Sequence, residues 1–129
     1  MAAGQEANAR HLPRSALIET YGNGGFRFAG MSHRGSLLCL PDGVWAWPVK
    51  DTTEVSAAAL ELVFASVERL DVFLIGAGRD PWPLPERLRA RFRAVGISVD
   101  AMPTGPAVRT YNVLMAENRR VGAGLIAVD

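Results

Sequence analysis

Cysteine and lysine are almost missing from this sequence: Cys39 and Lys50 stand alone among 129 residues. A single thiol can close no internal disulfide, so the fold cannot depend on a covalent staple. Histidine is scarce as well, with only His11 and His33. Two imidazoles and one thiol fall short of the ligand set of an ordinary zinc site, so no metal and no cofactor is expected. No apolar run reaches the roughly 18 residues that a membrane-spanning helix needs. The formal net charge is +1, which provides no general field for nucleic acid or anionic lipid, and neither is an expected partner.

What is present fits one globular domain. Apolar residues make up 49% and charged residues 21%, the usual balance for a chain with its own core. The basic side chains are nearly all arginine, which together with abundant Ala and Gly reads as the mark of a GC-rich genome. Met1 to Ser15 carries Arg10, Arg14 and Glu6 but no apolar stretch, so it resembles neither a secretory signal nor a transit peptide. Residues 1–14 are therefore expected to form a loose tail, residues 15–129 a single α/β domain, and the cytoplasm is the expected compartment.

The first half reads as hairpins. Leu17 to Tyr21 leads into Gly22-Asn23-Gly24-Gly25, residues that enter positive-φ turns without strain, and returns as Phe26-Arg27-Phe28. Ser36 to Leu40 likewise turns at Pro41-Asp42-Gly43 into Val44 to Trp47. The period then changes. Asp51 with Glu54 forms a variant capping box, and Leu60, Val63, Phe64, Val67 and Leu70 recur at helical spacing. Val72 to Ile75 is a short apolar run suited to a strand buried on both faces. A second helix opens at Pro85, stacks Leu88, Phe92 and Val95, and stops at Gly96. Ile97 to Ala101 is a strand, Thr104 to about Glu117 a third helix capped by Asn118, and Val121 to Val128 a final strand. Strands first, then helix–strand three times, predict a three-layer α/β domain. Its sheet would be mixed, with an antiparallel N-terminal hairpin layer, helices on the faces and right-handed crossovers in the parallel part.

Several of these segments also carry a resemblance. Tyr21-Gly22-Asn23-Gly24-Gly25-Phe26, Leu40-Pro41-Asp42-Gly43 and Val72-Phe73-Leu74-Ile75-Gly76-Ala77-Gly78 precede the run Met102-Pro103-Thr104-Gly105-Pro106-Ala107-Val108-Arg109-Thr110-Tyr111-Asn112-Val113-Leu114. Glu117-Asn118-Arg119-Arg120-Val121 completes the pattern. Together they resemble the family of small domains of unknown function that includes the mitochondrial respiratory complex I assembly factor 3 and its bacterial and archaeal relatives. The resemblance implies a three-layer α/β fold and protein partners among respiratory or membrane-assembly proteins, and it implies no enzyme activity. Val108 stands where many members have Cys, which argues against a shared thiol chemistry here. Ala77 replaces a frequent Thr, and Asn118 replaces a Gly.

Two candidate sites follow. Gly76-Ala77-Gly78 lies at the carboxyl end of a buried strand, where open α/β sheets bind ligands. With Arg79, and with Thr104 and Arg109 from the start of the third helix, Gly76 and Gly78 would form a crevice for a small anion. Against this stands the plain use of glycine in a tight turn. The second candidate is a partner surface. Arg109, Asn112 and Val113 point away from the helix's main apolar face of Ala107, Val108, Tyr111, Leu114 and Met115. Trp82, in the stiff loop Asp80-Pro81-Trp82-Pro83, would be either an exposed contact or a lid on the core.

Other groupings read as structural. Cys39 sits in an apolar strand, where a thiol usually packs, so a Cys39–His33 pair is not expected to be catalytic. Arg87, Arg89, Arg91 and Arg93 flank an apolar stripe, as on any solvated helix. The expected function is a non-catalytic binding or assembly module, with self-association left open. The alternative is a small-anion-binding protein or enzyme that uses the crevice from Gly76–Gly78 to Thr104–Arg109.

Overall fold

The computed structural model describes residues 10–129. Strands β1 (Arg10–Leu12), β2 (Ile18–Gly22), β3 (Gly25–Phe28), β4 (Met31–Arg34), β5 (Ser36–Leu40) and β6 (Gly43–Trp47) come first. They are followed by helix α1 (Glu61–Phe64), β7 (Val72–Gly76), α2 (Glu86–Ala94), β8 (Ser98–Met102), α3 (Thr104–Ala116) and β9 (Val121–Leu125). One six-stranded sheet has the order β1-β6-β5-β9-β7-β8, and β2-β3-β4 form a separate three-stranded antiparallel sheet. Strand β9 is antiparallel to β5 and parallel to β7, so it joins the hairpin half to the βαβ half.

The pleat sorts the core into two layers. Leu37, Cys39, Leu74 and Leu125 face α3 and the small sheet, meeting Ile18, Phe26, Phe28, Ala107 and Tyr111. Leu38, Leu40, Phe73 and Ile75 point the other way, toward Leu60, Val63, Leu88 and Phe92. This is the period-2 alternation that a sheet covered on both faces imposes. Phe92 stacks on Phe73 with ring centroids 5.6 Å apart, and Phe64 lies 4.9 Å from Phe92, which pins α2 and α1 to one face.

The mixed sheet, both early hairpins, α2, α3 and the Asn118 cap (φ 61°) agree with the sequence reading. Four features differ. The helix expected from Asp51 to Leu70 is broken into a 3₁₀ turn (Thr52–Glu54), the single α turn α1 and another 3₁₀ turn (Val67–Arg69). Asp51 caps the first turn, accepting from the Thr53 amide at 2.8 Å, but Glu54 accepts from the Lys50 amide (2.6 Å), one residue before the cap, so the capping box is displaced by one residue. The helix does not propagate, because the carbonyl of Ala59 is taken by the Trp47 indole N–H (2.9 Å) and Ser66 Oγ turns back on the Leu62 carbonyl (3.0 Å). Val95, placed in the apolar stripe of α2, is exposed beyond the helix end.

Strand β4 is the second difference. It follows a turn at Ala29-Gly30 in which both residues have positive φ (49° and 73°), and Ala carries no signal for that conformation. The third is β1: residues 10–12, read as tail, pair with β6, while residues 1–9 of that tail lie outside the described residues. The last strand is shorter than expected and ends at Leu125.

Helix α3 packs on the main sheet with β2 of the small sheet alongside it. The Asn112 side chain completes the backbone of β2, accepting from the Ile18 amide and donating to the Ile18 carbonyl, both at 2.9 Å. Removing a side chain that satisfies two half-buried backbone groups costs about 1–3 kcal/mol. Asn112→Ala should therefore lower the unfolding free energy by that amount, read as a drop in the urea midpoint, and speed exchange of the Ile18 amide. An unchanged midpoint would show that water serves Ile18 equally well.

Candidate functional site

The parallel half of the sheet sets up a crevice. After β7 the chain crosses to the face that holds α2, and after β8 it crosses to the opposite face, where α3 packs. The carboxyl ends of β7 and β8 thus mark a topological switch point, where open α/β sheets present ligand sites. Gly76, Ala77 and Gly78 lie at the first end, and Pro103 and Thr104 at the second.

The crevice is filled by the protein's own groups. The Ala77 amide donates to the Met102 carbonyl (2.7 Å), and the Thr104 amide donates to the Gly78 carbonyl (2.8 Å). Thr104 is 0% exposed. Its hydroxyl accepts from the Gly78 amide (2.9 Å) and donates to the Ile126 carbonyl (2.7 Å). Gly78 adopts φ +99°, and a Cβ on Gly76 would fall about 3 Å from both Leu125 and the Thr104 backbone, so the two glycines serve a turn and a close helix–strand approach. The amides of Gly78 and Thr104 are thereby committed to internal bonds.

The open space lies next to this knot. A cleft of about 370 Å³ is lined by Lys50, Asp51, Arg79, Asp80, Trp82 and the segment 126–129. Ala77 and Gly78 line it with Arg79; Gly76, Thr104 and Arg109 do not. Trp82 is half-buried, with part of its ring on the core beside Leu88 and part on the cleft wall, which combines both readings of that residue.

Arg109 instead lies beside Gly105 and the hydroxyl of Tyr21. A Cβ on Gly105 would overlap that hydroxyl, so a larger residue there would require the Tyr21 ring to shift. Val113 follows one turn after Arg109 and is 56% exposed, and Leu17 and Tyr21 on or beside β2 are 48% and 41% exposed. Three of the large apolar side chains at the surface thus line the α3–β2 seam together with Arg109, which forms no salt bridge among the described residues. Asn112, by contrast, spends its amide on Ile18 and does not present it outward. Sequence spacing found the outer row of α3 but not Leu17 and Tyr21, because nothing local showed that β2 would lie alongside it.

Among the described residues, the Cys39–His33 pair is not assembled. Cys39 is fully buried, and burial pushes its thiol up to about 12 despite the opposing hydrogen bond from Tyr111. Burial likewise raises the Tyr111 phenol, whose hydroxyl donates to the Ala16 carbonyl at 3.3 Å. His33 turns to the Ser36 carbonyl rather than to Cys39. The α2 arginines are solvated as expected: Arg93 pairs with Glu86 at 2.8 Å, and Arg91 lies over Phe64 at 4.7 Å. Among the described residues, no three His, Cys, Asp or Glu side chains converge on a metal position, and no helix is long and apolar enough to cross a membrane.

The fold and its surface thus define a three-layer α/β domain in which Thr104 fills part of the switch-point crevice, an open cleft remains beside Gly78 and Arg79, and exposed apolar side chains lie on α3 and beside β2. Residues 18–126 match the family model described as protein of unknown function (DUF498/DUF598), and the chain belongs to that family. It is 40% identical over 109 residues to an uncharacterized protein of Rhodobacter capsulatus, covering 84% of this chain and 82% of that one. It is 30% identical over 113 residues to NADH dehydrogenase [ubiquinone] 1 alpha subcomplex assembly factor 3 of Drosophila melanogaster, covering 85% of this chain and 58% of the fly protein. A crystal structure described as an outer membrane protein from Bartonella henselae superposes with a TM-score of 0.88 at 45% identity, over 92% of this chain and 100% of that one.

Two outcomes test the site as described. Native Cys39 should not react with a disulfide reagent at about pH 8, because thiolate is the reacting species. It should react fully in denaturant, and prompt labelling of the folded domain would place the thiol at the surface. Thr104→Val should cost about 2 kcal/mol or more by orphaning the Gly78 amide and the Ile126 carbonyl. A melting curve that does not move would reduce Thr104 to a spectator.

Proposed function

We propose that this domain is a non-catalytic binding module in the assembly of a respiratory or membrane protein complex, with the α3–β2 seam as its docking face. The observation that carries the reading is the joint exposure of Leu17, Tyr21 and Val113 around Arg109. Apolar and aromatic side chains around an arginine make up the composition that most often dominates binding energy at protein interfaces. The kinship with an assembly factor for NADH dehydrogenase in the fly supports the class of partner. The unreactive thiol and the absence of a base beside it support a module that is not an enzyme.

The alternative is a small anion held by Gly76, Gly78, Arg79, Thr104 and Arg109. It has less support, because Arg79 and Arg109 open onto different surfaces and the two amides nearest the crevice are already bonded. Trp82, at the mouth of the cleft, would serve that reading better than the docking one.

Charge reversal separates fold from function. Arg109→Glu combined with Val113→Asp changes two exposed positions and should leave the melting temperature within a few degrees. Copurification with respiratory or membrane-assembly proteins should fall by at least about tenfold, since losing an interface arginine costs about 2 kcal/mol or more. A double variant that keeps its partners would move the docking face elsewhere.

A further inference from the structure

His11 and His33 are distant in sequence and play no part in the crevice or the docking seam, yet their rings meet. His11 Nε2 lies 3.0 Å from His33 Nδ1, with ring centroids 4.7 Å apart. His33 Nε2 is 3.1 Å from the Ser36 carbonyl, which can only accept, so Nε2 of His33 carries the proton. Nδ1 of His33 is then a bare acceptor, and His11 donates to it from Nε2.

The placement of His11 is also unusual. The register of β1 against β6 pairs Arg10 with Trp45 and Leu12 with Val44, so His11 is the extra residue of a bulge. A bulge redirects a side chain. Here it directs the imidazole across to β4 of the other sheet, with Phe28 at 5.8 Å as its other neighbour. Strand β1 is only three residues long and covers the outer edge of β6. Arg10 adds a contact over Trp45 (5.2 Å) and a hydrogen bond to the Asp42 carbonyl.

We propose that His11 and His33 form a proton-operated clasp that holds β1 on the edge of β6 and releases it in acid. One added proton fits on Nδ1 of His11 and leaves the hydrogen bond intact. A second must go to Nδ1 of His33, where it would set N–H against N–H and two positive charges within bonding distance. The surroundings supply no compensation. Phe28 from β3 and Ser36 from β5 are uncharged, the adjoining residues Arg10 and Arg34 are cations whose side chains reach Trp45 and Gly24, and among the described residues no carboxylate acts on either imidazole. Burial lowers both histidines, and His11 lowers His33 further. The closed clasp therefore contributes its full stability above the ordinary imidazole value of about 6.5 and loses it as pH falls below that value. Release uncovers the backbone edge of Val44 and Trp45, a ready template for a strand from a partner.

Amide hydrogen exchange on the intact chain tests this. From about pH 7.5 to about pH 5, and after correction for intrinsic rates, protection at residues 10–12 and 43–45 should fall by at least about tenfold, the effect of one unit of pKa shift. Protection at Phe73 to Ile75 in the buried β7 should hold. In His11→Phe, which keeps an aromatic ring but cannot titrate, β1 protection should be the same at both pH values. Imidazole ¹⁵N spectra at neutral pH should show the Nε2–H tautomer for both histidines. Protection of β1 that ignores pH in the native chain, or an equal loss in His11→Phe, would overturn the clasp. So would an Nδ1–H tautomer at His33, which requires no variant to observe.

Discussion

One buried hydroxyl holds three separate stretches of chain in register. Thr104 Oγ1 takes the amide that β7 leaves exposed at Gly78 and gives its proton to Ile126, just past β9, while its own amide starts α3. Ile126 is buried and Gly78 half-buried, so losing these bonds leaves polar groups that water cannot fully serve. The start of α3 is thereby tied to the ends of β7 and β9. Part of the crevice that this fold class ordinarily opens to ligands is here a structural joint.

At the switch point Thr104 engages the nearest amides while Gly78 and Arg79 still border open space, and burial at Cys39 suppresses the thiolate. Along α3 and β2, Leu17, Tyr21, Arg109 and Val113 are exposed. Asn112 shows how fine the division is. It sits between Arg109 and Val113 on the helix yet belongs to the scaffold, clamping the strand that displays Leu17 and Tyr21.

Local pattern made much of this legible. The period-2 runs of β5 and β6, the apolar block of β7 and the stripe of α2 each contain their own evidence, since burial of one face dictates their spacing. Gly76, Gly78 and Thr104 could be brought together from the rule that ligand-type crevices form at strand ends. That their amides would already be engaged could not, because those bonds run between residues 22 to 26 positions apart. The same holds for the broken helix after Asp51. Its periodic residues are all present, but Trp47 takes a carbonyl that the helix would need. Strand β4 was hidden by a turn made with Ala29, and His11 by a strand too short to have a period. In each case the deciding partner lay elsewhere in the chain.

The position of β9 has a consequence for how the molecule is made. The strand that lies between β5 and β7 follows both of them in sequence, so the centre of the main sheet is its last part to leave the ribosome. Until residues 121–125 emerge, the hairpin half and the βαβ half have bare facing edges and nothing to join them. Unpaired edges of this kind invite pairing with other chains. The nascent protein therefore passes through a window in which its most buried strands are its most adhesive. Completion of the sheet then depends on contacts distant in sequence, the kind that form slowly.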